Sequence, residues 1–159
     1  MTIASAAAVL DFWFKELDDA RRFAKDATLD AAIGERFGAT LQAAIVGELE
    51  AWRATPEGRL AEIIVLDQFS RNVWRDTPRA FSQDPQALCL AQEFVRTGQD
   101  PALTPAQRAF AYMPYMHSES MLIHQQAVAL FSQPGLEGSL AFERRHQAII
   151  KRFGRYPHR

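Results

Sequence analysis

Seven side chains carry the chemistry this sequence could perform: Asp67, Arg71, His117, Glu119, His124, His146 and Arg152. Asp67 and Arg71 stand four residues apart in the run Leu60-Ala-Glu-Ile-Ile-Val-Leu-Asp-Gln-Phe-Ser-Arg-Asn-Val-Trp74. At 100° per residue they fall beside Leu60, Ile64 and Trp74, while Val65, Leu66, Phe69 and Val73 cover much of the other side. A helix apolar nearly all round belongs at the centre of a fold. The four-residue spacing lets carboxylate and guanidinium pair directly, as buried charges must, because an isolated one costs on the order of several kcal/mol. Such a pair either orders a bundle or faces a ligand.

Three of the four histidines repeat the pattern. His117 and His124 are seven residues apart and share a face with Met121, Val128 and Phe131, and His146 sits among Phe142, Ile149, Ile150 and Phe153. A histidine on an apolar face is ordinarily a hydrogen-bonded core residue. Three together suggest an alternative, a shared polar pocket in which His117, Glu119, His124 and His146 meet Asp67 and Arg71. In that pocket His117 would act as acid or base, Glu119 or Asp67 would orient it, and Arg71 or Arg152 would hold an anionic substrate.

Other patterns are weaker. Glu143-Arg-Arg-His146 has the Glu-x-x-His spacing of di-iron bundles, but those sites need a second copy and two further glutamates. No metal and no cofactor is expected. Between residues 143 and 159 six basic side chains face the single acid Glu143, a formal charge of +5. Such a run is a solvated face or an anion-binding end. Arginine outnumbers lysine fifteen to three, which suits bidentate anion recognition. Cys89, with Leu88, Leu90 and Ala91 nearby, reads as an inert core thiol. The nucleophile elbow, phosphate loop, dinucleotide fingerprint, His-Glu-x-x-His and Cys-x-x-Cys are all missing.

The elements that must position these groups are helical. Apolar spacing predicts helices over about residues 3–17, 29–53, 56–74, 85–97, 105–116, 117–132 and 139–153, with a charged loop over 18–26. Gly34, Gly38 and Gly47 weaken the second. Thr55-Pro56, Asp84-Pro85 and Thr104-Pro105 each set a capping residue before a proline suited to a first helical turn, and Thr104 with Gln107 has capping-box spacing. Pro114 must remove a backbone hydrogen bond and bend or break its helix, most simply as a corner between helices. No segment alternates as a strand does. The expectation is an all-α array of about seven antiparallel helices, without a demonstrable internal repeat.

Length and composition set the frame. The chain has 159 residues, a net charge of −1, 48% hydrophobic and 23% charged residues, which excludes disorder and fits a single domain with one core. Near-neutral charge argues against a dedicated nucleic-acid binder. One cysteine cannot form an internal disulfide, and no stretch is long enough to span a membrane, so a cytoplasmic protein is expected. Phe12, Trp13 and Trp74 could fill the core or seal a homo-oligomer.

Five runs taken in order resemble one family. Val9-Leu-Asp-Phe-Trp-Phe14, Leu66-Asp-Gln-Phe-Ser-Arg-Asn72, Thr77-Pro-Arg-Ala-Phe81, Tyr112-Met-Pro-Tyr-Met-His-Ser-Glu119 and Arg152-Phe-Gly-Arg-Tyr-Pro-His-Arg159 are similar to the bacterial domain of unknown function numbered 924. The resemblance implies an all-α fold similar to tetratricopeptide-like helical arrays and carries over no reaction, substrate or catalytic residue. Ser70 stands where the family often has proline, so the helix is expected to run smoothly through Arg71. The family pattern continues beyond the Tyr-Pro-His-Arg run, so a C-terminal tail is expected to be absent here.

The leading functional expectation is a helical binding or interaction domain for a peptide, a partner helix or a small anion. The competing one is an enzyme built on His117. Nucleic-acid binding through the basic end ranks last.

Overall fold

The computed structural model describes residues 2–159 and is all-α, with no strand among them. The chain forms two compact units, one ending at Gln83 and the other spanning Asp84–Arg159. No helix among the described residues is long and apolar enough to cross a membrane.

In the first unit, α1 (Ala6–Asp11) opens on the Ser5 hydroxyl, which accepts the Ala8 N–H, and widens into a π-type turn over Phe12–Glu16. The predicted loop over 18–26 instead contains a short helix, α2 (Asp19–Phe23), because the Asp18 carboxylate caps it by accepting the Arg21 N–H. Helix α3 (Ala27–Ile45) starts on the Asp26 cap and stops well short of residue 53. Gly47 adopts φ +84°, a left-handed conformation that only glycine takes cheaply, and the chain turns there.

Helix α4 (Pro56–Ile64) begins at the predicted Thr55 cap and passes through a π-type turn, Val65–Phe69, into α5 (Ser70–Val73). Every residue from Leu60 to Ser70 is buried, so this is the central helix of its unit, as its all-round apolarity required. Phe12, Phe37 and Phe69 pack with ring centroids 5.0–6.1 Å apart, and Trp13 meets the Phe69 ring at 5.8 Å. Two carboxylates of this unit, one on α4 and one on α3, are neutralised in place. Buried Glu62 takes two bonds from Arg53 at 2.8 and 2.9 Å, and Asp30 takes two from Arg75 and one from Asn72. Partial burial raises the Asp30 pKa, but the bonds from Arg75 and Asn72, with the charges of Arg75 and Lys25, outweigh it and hold the pKa below its ordinary value.

The second unit is a set of hairpins: α6 (Asp84–Thr97), α7 (Pro105–Met116), α8 (Met121–Phe131) and α9 (Glu137–Phe153). Helices α7 and α8, and α8 and α9, run antiparallel. Arg108 and Tyr112 of α7 reach Gln133 just beyond the end of α8, and Tyr156 beyond the end of α9 reaches Glu119 before the start of α8. Thr104 and Gln107 form the predicted capping box. Tyr112, fully buried, donates to Asp100, and burial first and that bond second push its hydroxyl well above the ordinary range.

Pro114 does not break α7. The helix continues two residues further, to Met116, and His117–Ser120 make the corner, so the eighth helix begins at Met121 rather than 117. The Ser120 hydroxyl sets that start by accepting the Ile123 N–H. Cys89 also departs from expectation: it is exposed, because α6 turns Ala87, Ala91 and Phe94 inward and the cysteine lies off that stripe.

Candidate functional site

Asp67 and Arg71 both belong to the first unit and do meet, though less as an ion pair than their spacing suggested. The Arg71 Nη1 donates to the Asp67 backbone carbonyl at 2.7 Å and only loosely, at 3.4 Å, to the carboxylate. The π-type turn explains the preference. Widening the backbone around Asp67 disturbs the regular ladder, and the guanidinium serves the carbonyl there. The carboxylate, buried completely, takes 2.8 Å donation from Gln68 Nε2, and the guanidinium carbon lies 5.3 Å from the centre of the Phe81 ring.

The other five candidates lie in the second unit, and three of them, Glu119, His124 and His146, gather around one residue the sequence reading left out, Tyr156. Gly154, at φ 72°, ends α9 in a left-handed turn and sends the chain back toward the corner between α7 and α8. Tyr156 is thereby buried. Its hydroxyl donates to the Met116 carbonyl and lies 3.2 Å from His124 Nε2, and its N–H donates to Glu119 at 2.6 Å. The rings of His124, His146 and His158 all lie within 6.3 Å of its ring.

His124 is the most enclosed member. Its Nδ1 faces both carboxylate oxygens of Glu143, at 3.0 and 2.8 Å, and its Nε2 lies 2.6 Å from the Ser118 carbonyl. A carbonyl can only accept, so Nε2 carries a proton. Glu143, read from sequence only as half of a Glu-x-x-His spacing with His146, is the true partner of a different histidine on a different helix. Both members are fully buried.

His117 closes the corner. Arg159 donates to the His117 carbonyl at 3.0 Å and pairs with Asp84 at 3.1 Å. Donor atoms of Asp84 and His117 lie within 4.8 Å of one another, close enough to share a cation, and the Arg159 guanidinium on the Asp84 carboxylate brings positive charge there. His146 is only partly buried. Its Nδ1 is bonded to the Phe142 carbonyl at 2.7 Å. Burial lowers its basicity; the Phe142 bond opposes this, and the nearby His117, His124 and His158 lower it further.

Arg152 stands apart from the cluster. It is exposed on α9, its guanidinium 4.9 Å from the Phe153 ring centre. About two turns earlier the same helix pairs an arginine with a phenylalanine again, with Arg145 lying 5.2 Å from the centre of the Phe142 ring. Phe142 and Phe153 are 54% and 51% exposed. The apolar face assigned to His146 from sequence is thus not a core face. The inward side of α9 carries Glu143 and Ile150, and the aromatic residues lie beside it in solvent.

Both units are thus built from helices alone, and one of them binds its C-terminal turn through a tyrosine ringed by histidines. The chain belongs to the bacterial family of proteins of unknown function DUF924, whose pattern matches residues 9–159. It is similar to the solved structure of a protein of unknown function from Agrobacterium tumefaciens, with 38% sequence identity and a TM-score of 0.91, over 97% of this chain and 86% of that one. No curated protein matches it.

Proposed function

We propose that the chain is a cytoplasmic helical recognition module that binds an acidic, partly apolar segment of a partner protein on the exposed face of α9. The observation that carries this reading is the pair of half-exposed aromatics, Phe142 and Phe153, each beside an arginine, on a helix whose C-terminal stretch is strongly basic. Large aromatic surface left in water costs free energy that a partner recovers, and arginine with an aromatic ring is a common anchor of protein interfaces.

Charge sets the kind of partner. Residues 143–159 carry +5 in a chain of net charge −1, so the rest carries −6. A short acidic segment meets only the local positive field, whereas a long polyanion such as nucleic acid would also meet the acidic remainder. The histidine cluster, by contrast, turns its polar atoms on itself: Glu143 on His124, Glu119 on the Tyr156 N–H. That supports a structural clasp beside the surface more than a reaction centre.

The test is fluorescence anisotropy with an unstructured, labelled peptide of mixed glutamate and leucine. Binding that weakens with added salt and is lost in R145A/R152A supports the reading. Absence of binding, or binding unchanged by that double substitution, overturns it.

A further inference from the structure

We infer that His146 makes the exposed face of α9 sensitive to acidity: a proton taken up there adds a positive charge beside Phe142 and Phe153 and tightens the hold on an acidic partner. This rests on the reading of α9 as the recognition face. Phe142, His146 and Phe153 are spaced by four and seven residues, so all three leave the helix within about 40° of one another. Arg145 and Arg152 leave it on one side of the two rings, and His146 on the other, toward the buried Ile150 and Glu143. The imidazole is partly buried, about one turn from Phe142 and two from Phe153. A segment that covers both rings therefore lies beside it, whatever its backbone.

The proton has one place to go. Nδ1 lies 2.7 Å from the Phe142 carbonyl, which can only accept, so in the neutral ring Nδ1 carries the hydrogen and Nε2 the lone pair. Nε2 has no hydrogen-bond partner among the described residues and is not sealed from solvent, so it gains a proton without breaking a bond. The surrounding groups decide when it does so. Glu143 of the same helix is engaged by His124 of α8. The corner after α7 brings His117 and Glu119, and Glu119 is held by the Tyr156 N–H. The turn after α9 brings the Tyr156 ring, 5.7 Å away, with His158, while Arg159 is taken up by Asp84 and the His117 carbonyl. Burial first, and then His117, His124 and His158, lower the basicity of His146 against the bond to Phe142, so the free chain charges this ring only below the ordinary histidine value of 6.5. Glutamates of a docked segment favour the charged ring and oppose that lowering. Binding then draws a proton onto Nε2, and by linkage affinity rises as pH falls below that value. Glutamate in water stays ionised down to about pH 4.3, which leaves about two pH units in which the partner is still acidic while the ring gains its charge.

The experiment titrates the full chain with the peptide of mixed glutamate and leucine, carrying a dye insensitive to pH, at about pH 7.5 and about pH 5.5, with circular dichroism verifying the fold at each. Binding is expected to tighten at least about threefold at the lower pH. His146→Gln, which cannot take up the proton, should bind as the unchanged chain does at the higher pH and gain less than about 1.5-fold on acidification, because the charges of the remaining histidines are farther away and screened by salt. Calorimetry near the ordinary histidine value, in two buffers of different ionisation enthalpy, should show proton uptake on binding by the unchanged chain and little by the variant. Equal tightening of both chains, no tightening of either, or binding without proton uptake overturns the dependence on His146 while leaving the recognition face standing. Failure of the peptide to bind at either pH, or binding indifferent to R145A/R152A, overturns both.

Discussion

The imidazole of His124 and the carboxylate of Glu143 form a fully buried pair that ties α8 to α9, with Nδ1 facing both carboxylate oxygens at 3.0 and 2.8 Å. Removing one member strands the other in an apolar interior. Glu143→Ala is therefore expected to cost about 3 kcal/mol, where the penalties for an unmet buried bond and for a broken buried pair overlap. Replacing both by leucine should recover part of that loss, because neither member of the pair is then stranded, while the Ser118 carbonyl loses its donor from His124. Urea denaturation of the two singles and the double would check it; singles costing under about 1 kcal/mol would mean the pair does not hold the hairpin together.

His146 gives the fold a dependence on acidity with a definite sign. Its basicity is lowered in the folded chain, by burial first and by the neighbouring His117, His124 and His158 as well, against the opposing bond to Phe142. The unfolded chain then takes up a proton at higher pH than the folded one. Stability from this group is unaffected above the ordinary histidine value of 6.5 and declines as pH falls below it toward the lowered folded value. His146→Gln should flatten that decline in urea unfolding measured between about pH 7 and pH 5. An acid limb of unchanged steepness would remove His146 as its source.

Gly58 is fixed by space. A Cβ added there would stand 1.9 Å from the Trp52 carbonyl oxygen and 2.8 Å from its carbon, both backbone atoms that cannot swing aside. Gly58→Ala must push the start of α4 off the preceding turn, weakening the Thr55 cap, whose hydroxyl accepts the Gly58 N–H at 3.0 Å. A loss of about 1–3 kcal/mol is expected from such overpacking, read as a fall in the thermal midpoint. A neutral substitution would contradict the close approach.

Cys89 lies in solvent on α6, so its thiol should react with a disulfide reagent in the native chain at a rate close to that of the urea-unfolded chain. Marked protection in the native state would place it back in the interior.

What the sequence made legible, and what it hid, divides by range. Caps such as Thr55 and Thr104 act within three residues, so hydroxyl, proline and glutamine spacing announced them. The central helix declared itself because apolar residues on every side leave a helix nowhere else to go. The partner of His124 was hidden, because Glu143 lies nineteen residues away on another helix and its own spacing pointed to His146. Tyr156, His158 and Arg159 were in view as a family run, yet only the left-handed turn at Gly154 brings them to the corner. Cys89 and Phe142 misled for one reason: both stand next to apolar neighbours in sequence, and only three-dimensional packing decides which arc of a helix faces inward.

The turn that carries Tyr156 separates two contributions that a single truncation would confuse. Its hydroxyl donates to the Met116 carbonyl and meets His124 Nε2, while its ring packs edge-on against His146 at 5.7 Å. Tyr156→Phe removes only the hydroxyl, leaving the buried Met116 carbonyl without that donor, and should cost about 1–2 kcal/mol. Tyr156→Ala also empties the space filled by the ring and should cost about 3–5 kcal/mol. Neither change alters Phe142, Arg145, Arg152 or Phe153, so under conditions where Tyr156→Phe remains folded, affinity for the acidic peptide should stay within about twofold of the unchanged chain. Equal losses of stability in the two variants would assign the clasp to the hydroxyl alone. A large loss of peptide affinity in a folded Tyr156→Phe chain would show that the clasp and the recognition face are one site, because only a shared contact could transmit the absence of a single oxygen atom.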